Sequence, residues 1–387
     1  MELPERPRRR AGHRAVVAQG GRGAGGLAVR RVGKERRLPR GWSSGSRDGC
    51  SGCDDRPLCG GVVCGAAAGA ELRAQPQRQL ARLQVDVAPT IALTGATGFL
   101  GRHIVRSLVG RGARVIGVVR NPDKVPALAR DGVELRCADL AEPDRLAEGF
   151  AGADVVVSNA ALLPVRNWRR ADHLRTNVRG TENVITAAAA AGVRRVIHVS
   201  SVSAYAGGAS GRIGEDHPLL DEDAGPLTPA YGLSKALAER RAWRLAGEHG
   251  IALTTLRPCL IYGAFDSNFM PIFAALARPP VTVMPAYTSV PMVYVGDVAD
   301  AVALAVENAT AAGRAYNLAG DDITLWEFFE AWREAGGRAA RVVVPIPFPY
   351  RLSYDTTRVR SELGWRSRPV GQGLRETLAL DPRPWRR

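Results

Sequence analysis

A glycine-rich turn between a strand and a helix is the feature that most constrains this chain. Gly95, Gly98 and Gly101 are spaced three residues apart in the segment TGATGFLG, directly after the apolar run 91–94 and before a helical pattern. Glycines at this spacing let the backbone turn tightly and approach a pyrophosphate at the N-terminus of the following helix. The turn predicts a dinucleotide site, and a plain glycine-rich strand-to-helix turn is the alternative. The residues assigned to this cofactor turn are Gly95, Thr97, Gly98, Phe99, Leu100 and Gly101.

After residue 88, short apolar runs alternate with helical patterns. Strands are predicted at 91–94, 113–119, 133–140, 153–161, 194–201 and 251–258, and long helices at 176–192 and 229–250. Such alternation predicts an α/β fold with a doubly wound parallel sheet of the Rossmann type.

We expect a single domain over 89–387, in which the nucleotide-binding core covers about 89–262. After about residue 263 the pattern becomes irregular and aromatic, which predicts a small C-terminal substrate-binding lobe over about 263–387. One further core strand is expected near 290–295. Because ligands bind outside the carboxyl ends of the strands in such folds, this lobe should cover the cofactor site.

The first 88 residues have a different composition. They hold 17 Lys+Arg against 8 Asp+Glu and contain no Ile, Phe or Tyr. Such a segment buries too little apolar surface to offset its ordering entropy, so residues 1–88 are expected to form a disordered Arg/Gly-rich tail. Four cysteines there could bind zinc. Because the spacing of the second pair is unusual and the neighbours are Gly and Ala, no metal is expected; the four are Cys50, Cys53, Cys59 and Cys64.

Charge and hydropathy limit the kinds of partner to be expected. The formal net charge is +15, but the arginine excess runs through the whole chain and Trp42 is the single aromatic residue of the tail, so no specific nucleic-acid partner is expected. No apolar run approaches the roughly 20 residues that cross a bilayer, so no membrane partner is expected. Two lone cysteines, Cys137 and Cys259, favour a reducing compartment and a cytoplasmic enzyme. The expected partner is a small-molecule substrate, and a homodimer stays open.

The end of the second strand bears on the choice of cofactor. A carboxylate at this place favours NAD, whereas the chain has Val119 followed by Arg120. Because a guanidinium suits the 2′-phosphate of NADP, we expect NADP(H) rather than NAD(H), with a solvated surface arginine as the alternative. Asp139 and Leu140, after the third strand, are expected to contact the adenine.

A tyrosine and a lysine four residues apart begin the long helix at 229–250. Tyr231 and Lys235 therefore share one face of the helix. A phenol is a poor base at neutral pH, and a nearby ammonium lowers the pKa of the phenol. This pair predicts a proton-transfer site.

The motifs TGATGFLG, NVRGTENV, HVSSVSAY, YGLSK, LRPCLIYG and VPMVYVGDVADAV, in this order, resemble the extended short-chain dehydrogenase/reductase family, part of the NAD-dependent epimerase/dehydratase superfamily. The resemblance covers residues 90 to about 380. It implies that Ser201 binds the substrate oxygen, Tyr231 exchanges the proton, Lys235 binds the nicotinamide ribose and Asn177 positions a water. Ser200, one residue away, is the alternative to Ser201. The resemblance also places Ala160 and Pro258 at the cofactor.

Two departures from the motifs of this family narrow the expected class of substrate. Nucleotide-sugar members of this family carry an arginine where the chain has 290–292, VPM, and the 4,6-dehydratase members carry an acidic pair where it has 202–203, VS. The chain looks most like the dihydroflavonol reductase and 3β-hydroxysteroid dehydrogenase branch. The expected function is an NADP(H)-dependent oxidoreductase that interconverts a secondary alcohol and a ketone or aldehyde on a fairly apolar small molecule. An NAD-dependent nucleotide-sugar epimerase or dehydratase, and a non-catalytic NADP(H) sensor, are the alternatives.

Apolar side chains are expected over the nicotinamide. Such a wall excludes water and leaves a few polar groups to orient the substrate. The segments assigned to it are 162–164, Phe265, 269–271, 291–292 and 346–348.

Overall fold

The computed structural model describes residues 88–167, 169–207, 211–348 and 351–382. The predicted tail, up to residue 87, and its four cysteines lie outside these residues.

The described residues form thirteen strands: β1 (Thr90–Thr94), β2 (Arg114–Val119), β3 (Glu134–Cys137), β4 (Val155–Ser158), β5 (Arg195–Val199), β6 (Arg212–Ile213), β7 (Ala252–Pro258), β8 (Leu260–Tyr262), β9 (Val281–Met284), β10 (Met292–Tyr294), β11 (Arg314–Leu318), β12 (Val342–Pro345) and β13 (Ser353–Tyr354). Seven of them, all parallel, form the main sheet in the order β11-β7-β5-β4-β1-β2-β3. The predicted doubly wound Rossmann-type fold is confirmed. The chain order of the strands reverses between β1 and β4, and ligands bind at such a switch point.

Helices cover both faces of the sheet. Alternate residues of one strand face opposite sides, so Ile91 and Leu93 of β1 join one apolar cluster and Ala92 joins the other. None of the described helices is both long and apolar enough to cross a bilayer. The α-helices are α1 (Phe99–Gly110), α2 (Pro126–Arg130), α3 (Pro143–Phe150), α4 (Arg170–His173), α5 (Gly180–Ala190), α6 (Ala230–His249), α7 (Phe269–Ala277), α8 (Val295–Glu307), α9 (Leu325–Glu334), α10 (Thr357–Leu363) and α11 (Val370–Leu380).

The helix predicted over 176–192 has a different beginning. A π-helical turn spans Leu174–Arg179 and runs directly into α5. Asn177 lies in this turn and is buried. Isolated π-turns are frequent at functional sites, where they reposition one side chain.

The strand expected in the core near 290–295 pairs elsewhere. β10 pairs in parallel with β8, in a separate two-stranded sheet. The outer strand of the main sheet is instead β11, which pairs with β7. The apolar runs of β10 and β11 are both buried, so hydropathy alone did not distinguish their partners.

Candidate active site

A cavity of about 730 Å³ lies at the carboxyl edge of the main sheet. Arg120 and Asp139 line it after β2 and β3, on one side of the switch point, and Ser201 and Tyr231 line it on the side of β5 and α6. The predicted site residues that line it are Gly95, Thr97, Gly98, Phe99, Leu100, Arg120, Asp139, Leu140, Ala160, Ser201, Tyr231, Lys235 and Pro258. The structure therefore brings together all but two of the predicted residues, Gly101 and Asn177.

The glycine turn is held by close backbone contacts. Gly95 has a φ of +71°, and its carbonyl oxygen accepts a hydrogen bond from the Gly98 amide at 3.0 Å. A Cβ on Gly101 would lie 2.0 Å from that same oxygen, so a side chain there would displace the turn. Gly101 thus shapes the turn without lining the cavity, and Gly98, which lines the cavity, is the N-cap of α1.

Two polar residues that the sequence analysis missed join the ends of β1 and β4. The Thr94 hydroxyl accepts hydrogen bonds from the amides of Asn159 (3.1 Å) and Ala160 (3.2 Å). The Asn159 side chain donates to the Gly95 oxygen at 3.3 Å. Both residues line the cavity and fix its floor at the switch point. The signal that could have identified these two residues is their position at the ends of adjacent strands.

At the adenosine side, the two predicted polar residues have different surroundings. The Asp139 carboxylate accepts a hydrogen bond from the Ala141 amide at 2.9 Å, so it also shapes the turn after β3. Arg120 is exposed and forms no ion pair with a carboxylate among the described residues. Its guanidinium is therefore available to an anion at the cavity edge.

Tyr231 and Ser201 lie together at the other side. Burial raises the pKa of Tyr231 to about 12, and a hydrogen bond with Ser201 opposes that rise. The Ser201 hydroxyl also accepts from the Ser203 amide at 3.1 Å. The predicted lowering of this pKa by Lys235 is not found, because burial dominates and the ammonium bonds elsewhere.

The Lys235 ammonium donates to the carbonyl oxygen of Val199 at 2.6 Å. The side chain is only 3% exposed. Burial lowers the pKa of Lys235 to about 8, and the carboxylate of Glu239, one turn further along α6, opposes that shift. The lysine is thus held against the end of β5, beside the cavity.

Asn177 lies behind the cavity wall, and its amide is bonded to the protein. Its Oδ1 accepts from the Leu162 amide at 2.7 Å, and its Nδ2 donates to the Leu162 oxygen (3.1 Å) and to Ser234 Oγ (2.9 Å). The side chain therefore ties the loop after β4 to α6. The predicted role in positioning a water stays a prediction.

Within the described residues, the buried Ser200 hydroxyl has no hydrogen-bond partner, and it belongs to a residue that lines the cavity. An unpaired buried hydroxyl is costly unless a ligand satisfies it. Together with the glycine turn and Lys235, it makes the cavity fit a dinucleotide, whose ribose and phosphate groups need such partners. The residues that would hold it are those of the glycine turn, Arg120 and Lys235.

The apolar wall is only partly where it was expected. Residues 162–165, Ile261 and Phe269 line the cavity. Met270 and Met292 are instead buried in the core, and Phe265 lies beside His103, with ring centroids 6.1 Å apart. Residues 346–348 are exposed, beyond the end of β12. Apolar character alone could not separate core, wall and surface.

Comparison with known proteins agrees with this geometry. A family model described as the NAD dependent epimerase/dehydratase family matches residues 91–319. The chain is 33% identical over 291 residues to the 2-alkyl-3-oxoalkanoate reductase of Stenotrophomonas maltophilia (strain K279a), a match that covers 72% of this chain and 86% of that protein.

Two further similarities differ in how much of each chain they cover. The chain is 35% identical over 182 residues to the 4-hydroxy-2-methyl-3-oxo-4-farnesyl-3,4-dihydroquinoline-1-oxide ketoreductase of Stigmatella aurantiaca, but this match spans only about half of each protein, 46% of this chain and 52% of the relative. Among solved structures, MoeE5 in complex with UDP-glucose and NAD superposes with a TM-score of 0.63 and 26% identity, over 75% of this chain and 98% of that one.

Proposed function

Since the chain belongs to the NAD-dependent epimerase/dehydratase family and is an NAD(P)-dependent enzyme of the extended short-chain dehydrogenase/reductase type, we propose that it reduces the ketone of a fairly apolar small molecule with NADPH, or runs the reverse oxidation. The observation that carries the proposal is the pairing of Tyr231 and Ser201 beside an apolar wall in one cavity.

The proton chemistry is assigned to Tyr231. With a pKa raised to about 12, its hydroxyl is protonated at neutral pH. A protonated phenol suits a general acid that gives its proton to the oxygen of a ketone as that oxygen gains negative charge. Ser201 donates a hydrogen bond to the same oxygen. Lys235, held against the end of β5, is assigned to the nicotinamide ribose. The nicotinamide cofactor supplies the hydride when it is bound.

The preference for NADP(H) is assigned to Arg120. This exposed guanidinium borders the cavity and has no carboxylate partner among the described residues. A 2′-phosphate would receive charge-assisted hydrogen bonds there. A cofactor without that phosphate would gain nothing from this side chain.

The substrate is assigned to the apolar class. The segment 162–165 and Phe269 offer contact area but no cation to a bound molecule. Burying a diphosphate beside such a wall without a cation is costly. The likeness to MoeE5, which was solved with UDP-glucose and NAD, favours a nucleotide-sugar epimerase as the competing function.

An absorbance screen tests the proposal. The purified chain is given NADPH or NADH with aryl ketones, steroid ketones, aldehydes and UDP-sugars, and the Tyr231→Phe variant is the control. We expect NADPH oxidation with an apolar ketone and none with UDP-sugars. Calorimetry with UDP and UDP-glucose on the NADP-loaded enzyme completes the test, because micromolar binding of either would favour the epimerase.

A further inference from the structure

Two short strands whose residues do not line the cavity carry exposed valines on their outward side. β9 and β12 pair in parallel, with Val342 opposite Val281 and Val344 opposite Val283. Their outward valines are each about half exposed: Val281 54%, Val283 56%, Val342 51% and Val344 45%. Parallel strands that read as continuous apolar runs are normally covered on both faces. Among the described residues, nothing covers the outward side of this pair.

The neighbouring helix has the same character. α7, FMPIFAALA, contains no polar side chain. Its inner residue Phe273 packs in the same core cluster as Met284 of β9, while Ile272 and Leu276 on its outer side are 55% and 51% exposed. A helix that is apolar on all sides is normally a buried helix. We call the four valines, Ile272 and Leu276 the apolar face.

Arginines flank the two strands of this face. Segments 269–296 and 335–354 contain four arginines and no Asp or Glu. All four are exposed, and none forms an ion pair with a described carboxylate: Arg278, Arg338, Arg341 and Arg351. The amide of Arg341 bonds to the Pro280 oxygen at 2.9 Å, which places Arg341 beside the segment that follows Arg278.

We propose that the apolar face is a docking surface for an anionic lipid bilayer. Its aliphatic side chains reach the level of the acyl chains, and the arginines meet the lipid phosphates. Surfaces that combine exposed aliphatic residues with unpaired basic residues bind in this way. The absence of a membrane partner expected from the sequence rested on spanning segments, which this mode of binding does not need.

Charge argues against two other occupants. A second copy of the chain would bring its own arginines against these, at a cost in repulsion. The segment 1–88 carries 17 Lys+Arg against 8 Asp+Glu and has no Ile, Phe or Tyr to fill an apolar surface. A negatively charged lipid surface complements both the aliphatic and the basic side chains.

Vesicle co-sedimentation of the full chain tests the proposal and needs no substrate, so its outcome is independent of the proposed reaction. The vesicles are phosphatidylcholine alone, or phosphatidylcholine mixed with phosphatidylglycerol. We expect binding to the mixed vesicles that weakens with salt. The double variant Val283→Asp/Val344→Asp should bind about tenfold more weakly or worse. The matched control is Leu227→Asp, at a residue that is 96% exposed elsewhere, and it should bind like the parent chain.

The basic tail is present in every variant, so its own attraction to lipid cancels in the comparison. A second variant, Arg278→Glu/Arg341→Glu, changes exposed charges alone and guards against misfolding of the first; it should also weaken binding. Unchanged binding by a folded double valine variant overturns the proposal. So does a dimer in light scattering that this variant splits, because the face then joins two copies of the chain.

Discussion

The two sides of the cavity are built by different means. Around the glycine turn, hydrogen bonds to backbone atoms define the surface. The Gly95 carbonyl accepts from the Gly98 amide and from the Asn159 side chain, and the Ala160 amide donates to the Thr94 hydroxyl. On the side of β5 and α6, much of the surface is instead formed by side chains, among them apolar ones on loops and on the start of α7, such as Leu163 and Phe269.

This difference predicts different responses to substitution. A backbone surface has one working shape, because its atoms also make the sheet and the first helix. A side-chain surface can change in size while the fold stays intact, since its residues contribute area rather than a fixed hydrogen-bond pattern. Substitutions in the glycine turn should therefore cause a sharp loss of nucleotide binding. Substitutions in the apolar wall should change substrate preference gradually.

The largest effect is expected where the two sides meet, at Tyr231. Tyr231→Phe removes the proton donor and leaves the glycine turn intact. Turnover should fall about 10²–10⁴-fold, as loss of general acid catalysis predicts, while NADPH binding is kept. Steady-state kinetics and cofactor titration measure the two quantities separately. A variant with near-parental turnover on a true substrate would falsify the proton-transfer assignment.

The next largest effect is expected in the glycine turn. Gly101→Ala places a Cβ 2.0 Å from the Gly95 oxygen, so the turn must move. We expect a loss of about 1–3 kcal/mol in stability, as for overpacked sites, and weaker binding of both NADPH and NADH. Gly110→Ala, in the same helix, is the matched control, because its Cβ would meet nothing within 4 Å. Equal behaviour of the two variants would contradict the rigidity of the turn.

Arg120 gives a smaller and selective effect. A charge-assisted hydrogen bond contributes about 1.5–3 kcal/mol, so Arg120→Ala should weaken NADPH binding roughly tenfold or more and leave NADH nearly unchanged. Arg114→Ala, at the exposed start of the strand that Arg120 follows, is the control and should change neither. Fluorescence titration with both cofactors gives the ratio. Tighter binding of NADH than NADPH by the parent chain would refute the assignment.

The sequence predicted most of the nucleotide side. Glycine spacing and the alternation of strands with helices report on backbone geometry, and α6 begins and ends within one residue of its prediction, with Gly250 at its C-cap with a φ of +64°. The strand expected at 133–140 ends at Cys137, because Asp139 folds back onto the Ala141 amide. That turn depends on a side-chain contact, which periodicity does not encode.

The other side was harder to predict for a physical reason. Apolar side chains serve equally as core, cavity wall or exposed surface, and only the long-range pairing of strands decides among them. Met292 became core because β10 pairs with β8, whereas Val344 became surface because β12 pairs with β9 at the outside. The hydrogen bonds of Asn177 to Leu162 and Ser234 depend on a π-turn that no pattern signalled.

The smallest predicted effect separates the two sides most cleanly. Leu163→Ala shortens a half-buried side chain of the wall, while the Asn177 bonds to Leu162 still hold the loop in place. Each buried CH₂ contributes about 0.8 kcal/mol, and partial exposure reduces that value, so the KM for an apolar ketone should rise only a few-fold. The affinity for NADPH should not change, because the altered atoms lie on the substrate side. Leu227→Ala, at an exposed loop residue, serves as the control. A loss of NADPH affinity equal to the rise in KM would show that the two sides act as one surface.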